Sequence, residues 1–531
     1  MIKGIVGFHA TRNQRDTITI TTSDGLVISN PPYLNQLLER YSETQNVIYD
    51  LDYFVAVLLF GIGITKEQGQ QLLSKGRLYL DGYKIVYFPK SFFLIESGRW
   101  NFKVVNANQD GYLKPYYTED NSVEDALRKA KEARDTAVRV SMAFQYLNLS
   151  TDDISSPIKA FLQKNKLNWP TADDCPDETS AMSWNNITGH WFETTKFGLF
   201  PKLYSYDRNG SYNACLSELP DIRRGKFVEA TTPPDGTLIG IAEGILETSA
   251  EFHPFLSKIK GANYTLTGKM PMVLGLEAIK LLRKWNLGTF TIIRGFWWIP
   301  TSPIYNIYKG TMNYLWNKKI NSINPTERAI CTRIYSGLWG LQSQYLHDKN
   351  IFGDRFCPFV NYIVEENSRI RLAETCLEYK IIPHAILGDG FITDIELSLK
   401  LSSDVGGWKL VKSGRCLISG SGQIAFESNE PPSGLALHFN TLIRQMQEHP
   451  KLSSYRRDKY SPITLALSLQ QDFGKLGMIH KVSRSLQIGY GFERQFISRP
   501  KNGSDLLTGK IHNSSPWDFS ILKTKYLVNE V

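Results

Sequence analysis

Apolar and polar positions run along this chain in two rhythms, one of strands and one of helices. Residues 2–10 form an apolar run of strand length, and residues 17–27 alternate around Ser23-Asp24-Gly25, the pattern of a hairpin. Residues 31–43 and 53–62 carry helical spacing, and residues 76–88 and 91–96 return to strand. Residues 124–147 begin charged and turn amphipathic, which predicts one long helix. Residues 152–167 follow as another, with Ser155-Ser156-Pro157 as cap and first turn. The polar residues 170–180 read as a linker. Tyr204-Ser205-Tyr206 reads as the end of a buried strand with Asp207 at its tip, and Asn209-Gly210 then bends the chain into a helix carrying Tyr212 and Leu216.

Further on, residues 238–247 read as a strand, 274–285 as an amphipathic helix, and 289–300 as an aromatic, hairpin-like strand pair. Residues 303–320 and 325–345 read as a helical pair, and 370–380 as a helix. Residues 381–396 form strand–turn–strand, with Asp389-Gly390 as the turn. Residues 407–426 alternate as a further hairpin, and residues 430–531 read as more helical, then polar and basic. The longest apolar run, 53–64, is too short to span a bilayer, and the start lacks the apolar core of a signal peptide. The expectation is a soluble, cytoplasmic protein without a membrane partner.

Composition sharpens this picture. A chain of 531 residues with 42% hydrophobic content fills several buried cores, and a net charge of +9 favours a polyanionic partner. The six cysteines (175, 215, 331, 357, 376, 416) are scattered with no C-x-x-C pair, which supports neither a disulfide framework nor a zinc site and fits a reducing compartment.

Taken alone, Asp207 and Asp389 are ordinary turn carboxylates. The spelling around them says more. Asp207-Arg-Asn209-Gly-Ser-Tyr212 after an aromatic strand resembles the D-x-N-S-x-Y-P motif of family B DNA polymerases, with Gly210 and Asn213 in place of Ser and Pro. Gly189-His-Trp191-Phe-Glu193 upstream resembles the run that leads into that motif in polymerases of phages and linear elements. Residues 333–342 resemble the K-x-x-x-N-S-x-Y-G motif: Ser336, Gly337, Trp339 and Gly340 fall in register, while Thr332 stands at the lysine position. Arg333, one residue out of register, is the first candidate cation, and Arg328, one turn from Thr332 on the same helix face, is the second. The Asp389 hairpin is similar to Y-x-D-T-D-S in two registers. Asp389 at the second Asp with Gly390 at Ser is preferred, because it keeps the apolar period of the second strand; the other sets Asp389 at the first Asp with Phe391 in place of the ligand.

The resemblance implies an α+β multi-domain chain with the palm, fingers and thumb of a right-hand polymerase behind an N-terminal RNase H-like, exonuclease-type domain. It assigns 1–150 to that domain, 151–200 to a linker, 201–269 and 346–430 to the palm, 270–345 to the fingers and 431–531 to the thumb. It implies two Mg²⁺ or Mn²⁺ ions on Asp207, Asp389 and the Arg208 carbonyl. Tyr212 would exclude a 2′-OH, and Arg333, Arg328, Trp339 and Gly340 would bind nucleotide. Lys409, Lys412, Arg415, Arg456, Arg457 and Lys459 would hold DNA, with basic and aromatic residues interleaved. Partners would be primer–template DNA and dNTPs, with a terminal protein primer or replication accessory proteins as further partners of a phage, virus or mobile-element polymerase. The exonuclease domain reads as degenerate, because Gly7-Phe8-His9-Ala10-Thr11 carries His and Thr where two carboxylates are needed; residues 46–50 and 116–120 echo its other motifs. Two alternatives remain: a catalytically inactive polymerase fold that binds DNA as a regulatory protein, and a nuclease or other phosphotransferase using the same carboxylates.

Overall fold

The computed structural model describes residues 5–12, 18–29, 40–41, 45–48, 50–80, 82–89, 92–97, 100–106, 123–150, 157–346, 351–428, 439–476, 478–491 and 493–526. The chain folds as two compact units, one of residues 1–167, 318–334 and 458–484, the other of 168–317, 335–457 and 485–531.

The first unit is built on an eight-stranded mixed sheet. Its order is Val27–Ser29, Ile18–Thr22, Ile5–Arg12, Gln45–Ile48, Trp100–Asn106, Phe92–Ser97, Tyr83–Phe88, Arg77–Leu80. Ile5–Arg12 pairs antiparallel with Ile18–Thr22 and parallel with Gln45–Ile48. The helix Leu51–Gly61 is buried along most of its length, as its continuous apolar run requires, and Asp50 caps it by accepting from the Tyr53 amide. The long helix Val123–Tyr146 packs on the Ile5–Arg12 strand. A helix absent from the sequence reading, Lys66–Lys75, is set by a capping box between Thr65 and Gln68. The helix expected over 31–43 and the motif expected over 116–120 lie outside the described residues, apart from 40 and 41.

The second unit is framed by two large sheets. One runs Gln423–Phe426, Trp408–Gly420, Lys196–Arg208, Gly390–Thr393, Ala385–Leu387, Phe192–Thr194. The other is antiparallel and runs Gly225–Glu229, Thr289–Pro300, Ile239–Thr248, Ala262–Gly275, Leu256–Ile259. One core links them, with Tyr206, Phe391, Leu246, Leu274 and Trp297 among its buried residues. The helix Pro358–Glu378 contributes Leu372, Ala373 and Cys376 to that core.

Several expectations are corrected here. The linker expected over 170–180 contains the start of a helix, Asp177–Asn185, because Pro176 precedes a first turn of Asp177 and Glu178 that favours the helix N-terminus. Residues 289–300 form one strand rather than a pair: Trp297 and Trp298 are wholly buried, and their indoles donate to Ala230 and Ile222 carbonyls. That strand and residues 270–275 are hydrogen-bonded to Ile239–Thr248, so the stretch assigned to the start of the fingers is woven into a sheet with the stretch assigned to the palm. The helix read over 370–380 begins twelve residues earlier, at Pro358, where proline suits a first turn. Among the described residues after 430, short helices alternate with strands, where a more helical stretch was expected.

Candidate active site

Asp207 stands one residue before the end of the strand Lys196–Arg208, between two antiparallel neighbours. On one side its register partner is Gly390, on the other Lys409. The aromatic residues before it explain why the strand is held so firmly. Tyr206 packs on Phe391 and accepts a hydrogen bond from the Leu397 amide, and Tyr204 donates to Glu396. Beyond Arg208 the backbone amide of Asn209 donates to the Gly407 carbonyl, and its side chain donates to Ser402.

The second carboxylate arrives on the neighbouring hairpin. Its two turn residues are Gly388 and Asp389, not Asp389 and Gly390 as the dipeptide suggested. Gly388 has φ 71°, so the glycine takes the first turn position, where positive φ is needed, and Asp389 takes the second. Gly390 then lies flat against the Asp207 strand: a β-carbon there would sit 2.7 Å from the Tyr206 carbonyl and 3.1 Å from Asp207 Oδ1. The pair is electrostatically strained. Burial pushes Asp389 up to about 7, and the charge of Asp207 beside it adds to the rise. Asp207 in turn forms an ion pair with Lys409, Nζ to Oδ2, at 2.7 Å.

Past the strand, Gly210 (φ 55°) turns the chain into the helix Ser211–Glu218. Tyr212 lies on this helix and stacks face to face on Trp339, with centroids 4.8 Å apart and an interplanar angle of 8°. Tyr335, one turn before Trp339, touches Gly210 and accepts from the Asn213 side chain. The hydroxyl of Tyr212 meets His190 Nδ1 at 2.6 Å. Gly189, just before it, is clamped by the buried helix Pro358–Glu378: Glu365 accepts from its amide and Arg369 donates to its carbonyl. Trp191, just after, donates to buried Glu193, which also accepts from Thr265 and pairs with Arg494.

The other candidate residues are placed as follows. The Arg208 guanidinium donates twice to the Gly406 carbonyl and lies over Trp408. Arg328 and Arg333 are exposed on the helix Pro325–Gly340. Helical spacing puts Arg328, Thr332 and Trp339 in one stripe and Arg333 well to its side. Gly340 closes that helix and caps the short turn Leu341–Ser343. A bulge in the Trp408–Gly420 strand, opposite Ser205 and Tyr206, shifts its period so that Lys412 shares the face of Lys409. Arg415 lies 3.9 Å from Glu427 and over Phe439. Arg456 is exposed on the strand Ser454–Pro462, and the side chains of Arg457 and Lys459 lie outside the described residues.

Four contributors escaped the sequence reading: His190, Tyr335, Glu365 and Arg369. The last two are charged residues buried on a helix, which breaks the apolar stripe that periodicity detects. His190 could have been found in the Gly-His-Trp spelling beside the Asp207 motif.

The fold has a solved counterpart. Phi29 DNA polymerase, in complex with primer-template DNA and incoming nucleotide substrates, superposes with TM-score 0.59 over 92% of this chain and 100% of that one, at 12% identity. The fold is that of phi29 DNA polymerase. Its orthorhombic crystal form gives the same TM-score, coverage and identity, and its complex with single-stranded DNA gives 0.57. Phi29 polymerase is a family B polymerase, so the resemblance carried by the two Asp motifs is met at the level of fold. The family B polymerase of the archaeon Pyrobaculum calidifontis aligns with TM-score 0.39 over 99% of this chain and 74% of its own, at 10% identity. No family model and no curated protein matches the sequence.

Do the residues present fit a divalent cation? Among the described residues no group of three or more His, Cys, Asp or Glu side chains forms a metal cluster. The pair Asp207–Asp389 is nevertheless the donor set of hard oxygens that Mg²⁺ or Mn²⁺ takes, and the unfavourable closeness of the two carboxylates is what a cation would relieve. Among the described residues no helix is long and apolar enough to cross a membrane.

Proposed function

We propose that this chain is a DNA-directed DNA polymerase, adding dNTPs to a primer 3′-OH by template-dependent nucleotidyl transfer. The observation that carries the reading is the convergence of Asp207, at a strand end, and Asp389, in the turn that leads into the neighbouring strand, within a phi29-type fold, with Tyr212, five residues after Asp207, stacked on Trp339. Asp207, Asp389 and the Arg208 carbonyl would hold two Mg²⁺ or Mn²⁺ ions, which when bound activate the 3′-OH and neutralise the triphosphate. Tyr212 is fixed by Trp339 and His190, so its ring would stand as a rigid floor for the incoming sugar and leave no room for a 2′-OH. Arg333, with Arg328 as the second choice, is the candidate cation to meet the phosphates. Lys409 and Lys412 share the Asp207 face, which suits contact with a polyanion.

The first unit is read as a degenerate exonuclease domain. His9, on the Ile5–Arg12 strand, is buried, and burial lowers its pKa to about 3, so it offers a neutral imidazole where hydrolysis would need a carboxylate. The partners are read as primer–template DNA and dNTPs, with a terminal protein or accessory factor added in the cell, and the setting as replication of a phage, virus or mobile element in the host cytoplasm.

A second reading, a catalytically inactive polymerase fold that binds DNA, is favoured by Thr332 at the lysine position and by Lys409 sitting on Asp207. Extension of a labelled primer–template with Mg²⁺ or Mn²⁺ and all four dNTPs decides between them. Extension that is lost in both Asp207→Ala and Asp389→Ala is the expected result; template binding without extension in the wild type would favour the inactive reading.

A further inference from the structure

Lys409 occupies an unusual place for a residue expected only to hold DNA. The antiparallel register sets it directly across from Asp207, and its Nζ lies 2.7 Å from Oδ2. Both side chains keep access to solvent, 46% for Lys409 and 30% for Asp207, so the ammonium reaches the carboxylate from the open side of the site and can leave it. Gly390 closes the other side, close to Oδ1. A divalent ion held between Asp207 and Asp389 would sit within a few ångströms of that ammonium, and like charges at such range repel.

We propose that Lys409 is the resident counter-cation of the carboxylate pair, displaced from Asp207 when divalent metal binds, and that it thereby sets the metal concentration the site requires. This rests on the two-carboxylate metal reading above. Without metal the ammonium balances part of the charge of two crowded carboxylates and keeps them together. With metal it swings out along the face it shares with Lys412, where a long flexible stem allows it to meet a phosphate.

Titration of the full chain with Mn²⁺ alone, followed by electron paramagnetic resonance of the free ion, tests this without DNA, nucleotide or turnover. Lys409→Met is expected to bind Mn²⁺ about 1.5- to 5-fold more tightly than wild type, the range a partly exposed ion pair supplies. Lys409→Arg is expected to bind as wild type does, and Asp389→Asn to bind markedly more weakly. Thermal melting of Lys409→Met within a few degrees of wild type would show that the fold is kept. Equal or weaker Mn²⁺ binding by a folded Lys409→Met would overturn the role of Lys409 while leaving the metal site standing. Absence of Mn²⁺ binding in wild type and Lys409→Met alike would overturn the metal reading and this inference together.

Discussion

At the scale of single residues, Asp389 and Gly210 are held where most side chains would be costly. Asp389 is largely buried beside a second carboxylate, and its pKa is raised to about 7 from the ordinary value near 4. The sign follows directly. Between about pH 4 and pH 7 the folded state keeps a proton that the unfolded state has released, so stability is present at low pH and lost as pH rises through the folded value. Metal-free Asp389→Asn is therefore expected to melt several degrees above wild type at pH 8, with the gap closing by pH 5. An equal Tm difference at both pH values would contradict the strained pair. Gly210 has φ 55°, and a β-carbon there would lie 2.7 Å from the Tyr335 ring. Gly210→Ala should cost roughly 1–3 kcal/mol, from a left-handed backbone and a contact that must be relieved. Urea denaturation with an unchanged midpoint would show that Tyr335 gives way freely.

At the scale of elements, the site is made where helices meet strand ends. The helix Ser211–Glu218 meets the last turn of Pro325–Gly340 through the Tyr212–Trp339 stack, and an aromatic pair of this geometry contributes about 0.5–1.5 kcal/mol beyond its buried area. A double-mutant cycle of Tyr212→Leu and Trp339→Leu should return a coupling energy in that range; additive losses would mean the rings merely lie side by side. This level also shows what the sequence could reveal. The Asp207 strand, its bend and the following helix were legible because aromatic residues, Asn209-Gly210 and Tyr212 are local signals that agree. The Asp389 hairpin was legible, yet its turn was placed one residue late, because Gly388-Asp389 and Asp389-Gly390 are both good turn dipeptides and only the pairing of Leu387 with Gly390 decides between them. The strand Thr289–Pro300 was misread as a pair, since what buries both of its tryptophans comes from distant segments. The cross-strand pairing of Lys409 with Asp207 was invisible, being a matter of register between segments two hundred residues apart.

At the scale of the whole molecule, the net charge of +9 acquires a direction. Lys409 and Lys412 share the face of Asp207 only because a bulge restores the period between them, and Arg415 lies exposed farther along the same strand. Cations so arranged would release counterions from a bound duplex, and each neutralised phosphate steepens the dependence of affinity on salt. For a polymerase gripping primer–template, roughly six phosphate contacts would weaken binding on the order of a thousandfold between 50 and 200 mM salt. Fluorescence anisotropy of a labelled primer–template across that range should show this decline. The double substitution Lys412→Gln/Arg415→Gln should reduce the slope of log affinity against log salt by about two, because two phosphates lose their partners. It should do so equally for unrelated template sequences, since backbone contacts carry no base information. A slope unchanged by the substitution would move the DNA path off this strand, and a sequence-dependent loss would mean that these side chains read bases rather than phosphates.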